Sequence, residues 1–123
     1  MVVDTSILLA IAFAEPHAEW AVERLEEHRG TTVMSTVNLA ETLIILRDRQ
    51  PVRFQELETK ILAGGIRFVA PTVEQARLAS EARLVYPLNL GDCFAYALAR
   101  DEGTGILTLD TDFRNVDVPV QLP

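Results

Sequence analysis

Two short apolar runs in this sequence stop at the same pair of residues. MVVDTS, residues 1–6, breaks at Asp4-Thr5, and ILTLDTDF, residues 106–113, breaks at Asp110-Thr111. Two further carboxylates sit in apolar surroundings, Glu41 within VNLAETLIIL and Asp92 ahead of CFAYALA. Gathered in one place, such groups would hold a hard divalent cation, because all-oxygen ligands favour Mg²⁺ or Mn²⁺ over Zn²⁺. Gathered without one they repel: two carboxylates ~5 Å apart cost about 3 kcal/mol at an effective dielectric near ~20. Several such pairs would use up much of a typical stability of about 5–15 kcal/mol. His17 and His28, eleven residues apart on a polar stretch, do not make a zinc site and read as solvent-facing.

Each carboxylate also has an ordinary use. Asp4 is a good N-cap for a helix starting at Thr5-Ser6. Asp92 falls in the first turn of a helix, where the dipole favours an anion, and Asn89 three residues earlier is a ready capping partner. Gly91 before it allows close approach of something else. Asp110, with Asp112 beside it, suits a turn into a short helix near Phe113. Glu41 fits this explanation least well. Its helical neighbours Val37, Ile44 and Ile45 put it on an apolar stripe, with Asn38 one turn earlier on the same face, and a buried unpaired carboxylate is costly. Asp117 reads as a solvated loop residue. Four separate coincidences are needed to explain the set piecemeal, against a single shared site.

The elements that must position these residues alternate. Apolar runs predict strands at residues 2–3, 31–34, 66–69, 105–109 and 118–122, the last at an edge beside Pro119. Helical patterns fill residues 7–14, 17–28, 36–49, 54–62, 72–84 and 89–100, punctuated by Pro16, Gly30, Pro51 and Gly64-Gly65. Ser35 or Thr36 is placed to cap the third helix, and Val73, Ala76, Leu78 and Ala79 form the expected inner face of the fifth. Strands separated by helices predict an α/β fold: a three-layer α/β/α sandwich around a mainly parallel sheet of about five strands. Ligands of such sheets bind beyond the carboxyl ends of the strands, where both Asp4 and Asp110 lie.

Composition bounds the rest. The 123 residues suit one domain, spanning 1–123, and 49% hydrophobic with 24% charged residues is globular. No run approaches a membrane span, no signal peptide is evident, and the one cysteine, Cys93, fits a reducing cytoplasm. Eighteen acidic against eleven basic residues give a charge of −7, and the only lysine is Lys60. An acidic chain binds nucleic acid weakly through bulk charge, so an RNA role would rest on a metal or on local arginines such as Arg47, Arg49 and Arg53. The acidic surplus also suits a basic partner.

The stretches MVVDTSILLAI, STVNLAETL, LNLGDCFAYALAR and GILTLDTDF occur in the order and spacing of PIN-domain ribonucleases, and the chain resembles the bacterial VapC-type toxins of toxin–antitoxin pairs over essentially its whole length. The resemblance implies Asp4, Asp92 and Asp110 as metal-binding residues, and Glu41 as the group orienting water or a second ion. Asp112, Thr5, Ser6, Thr108 and Asn38 are implied as supporting residues. Asn38 stands where the family usually has a small residue. A Mg²⁺-dependent endoribonuclease, with Mn²⁺ as substitute, is implied. Water would attack in line and leave 5′-phosphate and 3′-hydroxyl ends. Also implied are a cognate antitoxin and a homodimer within the toxin–antitoxin complex. An apolar face including Phe13, Trp20 and Leu25 is the expected antitoxin groove. Two other readings compete. A receiver- or phosphatase-like phospho-acceptor domain needs a late lysine, which Lys60 does not supply. A catalytically silent PIN-like module would be expected to lack a carboxylate, and none is missing.

Overall fold

A computed structural model describes all 123 residues. Its centre is the shortest possible strand. β1 is Val2–Val3, and both residues are wholly buried. It pairs in parallel with β2 (Val33–Ser35) on one side and β4 (Ile106–Leu107) on the other. β3 (Arg67–Val69) extends the sheet beyond β2, and β5 (Val120–Gln121) beyond β4. The order is therefore β3-β2-β1-β4-β5, all parallel. Parallel neighbours need crossovers, and the helices supply them: α1 (Thr5–Ala12) and α2 (Ala18–Glu27), α3 (Thr36–Arg49) and α4 (Phe54–Ala63), α5 (Val73–Val85) and α6 (Leu90–Glu102).

Alternation along the strands sorts the core into two layers. Val2, Val33 and Ile106 point to the face covered by α5 and α6, where they meet Ala79, Ala82 and Leu98. Val3, Met34 and Leu107 point to the opposite face and meet Ile7, Leu8 and Ala21 of α1 and α2. Leu46, Phe54 and Leu57 join α3 to α4 in a smaller third cluster. The arrangement is the expected α/β/α sandwich.

The order of the strands places a crevice. The chain runs outward through β1, β2 and β3, then returns to set β4 against the other side of β1. Between β1 and β4 the crossovers reverse, and ligands of open α/β sheets bind at such a point beyond the strand ends. Asp4 follows β1, and Thr108 follows β4 directly.

Several expectations shift. The second strand begins at Val33 and includes Ser35, and the fourth ends at Leu107; Thr108 still donates its N–H to the Gln121 carbonyl, and Leu109 turns to Ser6. The inner face of α5 is Gln75, Leu78, Ala79 and Ala82, while Val73 is 82% exposed and Ala76 is exposed. Gln75 replaces an apolar residue there by donating its amide to Asp101 at 2.9 Å. Asp117 is more than solvated. It accepts from the Tyr96 hydroxyl and from Arg100, both at 2.7 Å, fastening the loop before β5 to α6. His17 is exposed, whereas His28 is half-buried, with Nε2 3.3 Å from Gln121 Oε1. No helix is long and apolar enough to cross a membrane.

Candidate active site

Asp4 leaves β1 and caps α1, its backbone still extended at φ −83° and ψ 154°. One carboxylate oxygen is fully used. Oδ2 receives the Ser6 hydroxyl at 2.7 Å, the Thr108 hydroxyl at 2.8 Å and, weakly, the Ser6 N–H at 3.4 Å. The other, Oδ1, is buried and has no hydrogen-bond partner. Burial raises the Asp4 carboxyl above its ordinary range, the Ser6 and Thr108 bonds pull against this, and Glu41 adds to the rise. The two hydroxyls also tie down the β4 end. Ser6 Oγ accepts from the Leu109 N–H, and Thr108 Oγ1 from the Asp110 N–H, each at 2.9 Å.

Asp92 enters through the first turn of α6 in a capping box. Its N–H donates to the Asn89 side chain at 2.9 Å, and its Oδ2 accepts from the Asn89 N–H at 3.2 Å. The ordinary use is thus real and coexists with a place in the cluster. Asp92 is 6% exposed, and its carboxyl is pushed up to about 7, first by burial, then by the charge of Asp4, with Asp110 and Glu41 contributing. Asp110 likewise has one oxygen engaged. Oδ1 accepts from the Asp112 N–H at 2.9 Å and caps a 3₁₀ turn at Thr111–Phe113.

Glu41 reaches the site across Gly91. A Cβ at position 91 would lie 2.9 Å from Glu41 Oε2 and 3.0 Å from Oε1. The close approach that the glycine permits is therefore made by this carboxylate. Asn38, fully buried one turn before, donates its amide to the Gly91 carbonyl at 2.9 Å.

The structure thus brings Asp4, Glu41 and Asp110 within electrostatic range of Asp92, and Glu41 within range of Asp4, with Ser6, Thr108 and Asn38 around them. Thr5 is turned away, its hydroxyl spent on the Asn38 carbonyl at 3.2 Å. Asp112 is exposed and serves through its N–H. Arg47, Arg49 and Arg53 are exposed on α3 and the following turn. Arg47 lies 3.9 Å from the Phe54 ring centre, and Arg53 stands 3.8 Å from Glu56. Sequence reasoning missed the Ser6–Leu109 bond, whose partners are over a hundred residues apart.

No three acidic, histidine or cysteine side chains stand close enough to cage a metal by themselves. Mg²⁺ does not need that, since it keeps several waters and takes one or two carboxylates. The unpartnered, buried Oδ1 of Asp4 and an all-carboxylate donor set fit such an ion.

A separate groove of about 530 Å³ runs between α1, α2 and α4. Ile11, Val22, Leu25 and Ile61 are among its apolar lining, and Arg29, Arg53 and Lys60 also border it. Leu25 is among its lining. Phe13 and Trp20 are not. They are half-buried, Phe13 packed against the Leu46 cluster and Trp20 against the core beneath α1 and α2.

The family model described as PIN domain matches residues 1–119. Ribonuclease VapC30 of Mycobacterium tuberculosis is 35% identical over 133 residues, covering 100% of both chains. Two solved structures share the fold. VapC20 of M. tuberculosis, a sarcin-ricin loop cleaving toxin, superposes with a TM-score of 0.81 at 22% identity, covering 99% of this chain and 98% of that one. A toxin–antitoxin complex from Klebsiella pneumoniae gives 0.79 at 22% identity, covering 99% and 96%. The chain belongs to the PIN-domain family. Within it, the curated relatives that it matches along its full length are VapC ribonucleases.

Proposed function

We propose that the protein is a Mg²⁺-dependent endoribonuclease, the toxin of a toxin–antitoxin pair, hydrolysing RNA phosphodiester bonds. The observation that carries this is Asp4 Oδ1, a buried carboxylate oxygen without a partner amid three other carboxylates. Asp4, Asp92 and Asp110 would hold the ion. When bound, it supplies charge stabilisation at the scissile phosphate and acidifies water. Ser6 and Thr108 fix which oxygen Asp4 presents, the Asn89 capping box does the same for Asp92, and the Asp112 N–H for Asp110. Glu41, held over Gly91, would orient the attacking water or a second ion. The similarity to named VapC ribonucleases supports the substrate class.

A cognate antitoxin fits the groove between α1, α2 and α4, whose apolar lining suits the apolar face of an amphipathic segment. A homodimer and a cytoplasmic location belong to the same reading. The phospho-acceptor alternative loses ground because Lys60 lies on α4, paired with Glu56 at 2.9 Å.

The test is expression of the chain alone in bacteria beside Asp92→Asn at matched level. Growth arrest by the wild type only, with new 5′-phosphate RNA ends, is the expected result. Arrest by both proteins overturns the reading.

A further inference from the structure

Asn38 makes a set of contacts that packing does not require. It is fully buried in α3. Its Nδ2 donates to the Gly91 carbonyl at 2.9 Å, and its own main-chain carbonyl accepts from Thr5 at 3.2 Å and Thr42 at 2.8 Å. Its Oδ1 is buried without a partner. Every strand of this contact set ends beside a carboxylate: Thr5 follows Asp4, Gly91 precedes Asp92, and Glu41 is the next turn of α3. Those carboxylates repel one another, and the bonds of Asn38 join the helices that carry them.

We propose that Asn38 is a positioning residue whose amide clamps the first turn of α6 to α3 and so sets the spacing between Asp92 and Glu41 for cation binding. This rests on the metal-dependent reading above. Core filling alone does not explain an amide here, because a buried polar atom left unpaired is destabilising. Leucine has the same branched skeleton without the polar atoms. Nor does the Gly91 carbonyl need the amide, since a carbonyl in a helix accepts from the N–H four residues on. The contact sacrifices stability for placement.

The test uses the purified full chain and three variants, Asn38→Leu, Asn38→Ala and Asp4→Asn. Mn²⁺ binding is measured by calorimetry and melting temperature in chelator. Loss of a group that orients metal ligands weakens affinity by roughly 10–100-fold. Both Asn38 variants are expected to show that loss. Asn38→Ala should melt below the wild type because of the cavity, and Asn38→Leu reports the loss of the amide without one. Should one of the two not fold, the other carries the comparison. Wild-type affinity in a folded Asn38 variant, with Asp4→Asn deficient, overturns the clamp and leaves the metal site standing. Affinity that falls only in step with melting temperature shows a structural role and also overturns it. Equal Mn²⁺ binding by the wild type and Asp4→Asn removes the metal site and the clamp with it.

Discussion

The carboxylate of Glu41 occupies the space that a side chain on Gly91 would fill, with Oε2 2.9 Å and Oε1 3.0 Å from that point. Two helices meet there, and the glycine is the reason that an acidic residue fifty positions away can reach Asp92. Gly91→Ala should therefore displace Glu41. A shift of about 1 Å at a catalytic group costs on the order of 10²-fold in rate, and that loss of RNA cleavage is the expected outcome. Alanine in a helix is otherwise favoured over glycine by roughly 0.5–1 kcal/mol, so chemical denaturation should show little or no destabilisation.

Protonation of the buried cluster should govern stability. The Asp4 and Asp92 carboxyls are both raised in the folded chain, chiefly by burial. Between the ordinary and the raised value the folded state binds more protons than the unfolded one, so stability falls as pH rises. For Asp92 that window runs from 3.8 to about 7. In chelator, the melting temperature should be higher near pH ~5 than near pH ~8, and Asp92→Asn should flatten the slope. Added Mg²⁺ near pH ~8 should raise the melting temperature of the wild type and leave Asp92→Asn unmoved.

Thr108 holds both ends of the crevice, donating to Asp4 Oδ2 at 2.8 Å and accepting from the Asp110 N–H at 2.9 Å. Thr108→Val keeps the shape and removes both bonds. Leaving such groups unpaired costs about 1–3 kcal/mol, measurable by urea denaturation. Cleavage should fall as well, because Asp4 loses one of the two hydroxyls that fix its orientation.

Antitoxin binding can be separated from chemistry. Val22 lines the groove between α1, α2 and α4 and is 44% exposed, so the fold tolerates a charge there. Val22→Glu should weaken antitoxin binding about tenfold or more, the scale of a central interface position, with RNA cleavage unchanged. Undiminished affinity in a pull-down titration would count against this groove.

The Tyr96, Asp117 and Arg100 cluster provides the opposite control. The Tyr96 hydroxyl is pushed up to about 12, mainly by burial and then by its bond to Asp117. It stays protonated across the working range. Tyr96→Phe should lower stability by about 0.5–1.5 kcal/mol, the worth of an ordinary hydrogen bond, without touching cleavage.

Much of the scaffold was legible because the local rules agree with one another. The strand end at Asp4, the caps at Ser35 and Asp110 and the pairing of Asn89 with Asp92 follow from short-range patterns, whereas the apolar stripe read beside Glu41 is partly outside, with Ile44 67% exposed. What escaped depends on partners distant in sequence. The buried side of α5 is set by Gln75 finding Asp101, and hydrophobicity alone misplaces Val73 outside-in. The anchoring of Asp117 depends on Tyr96, twenty-one residues away. That Gly91 makes room was readable, while the identity of its visitor was not. The groove is built from three helices, and no single helical face announces which of Phe13, Trp20 and Leu25 will line it.

The central place of β1 sets an order of events during synthesis. Val2 and Val3 are made about a hundred residues before Ile106 and Leu107, which form half of their ladder. Until then Asp4 lacks Thr108, and Asp110 does not exist. A nascent or prematurely terminated chain therefore carries fragments of the site and no complete one. The full set of carboxylates comes together in one step, once the segment carrying Thr108 and Asp110 is made.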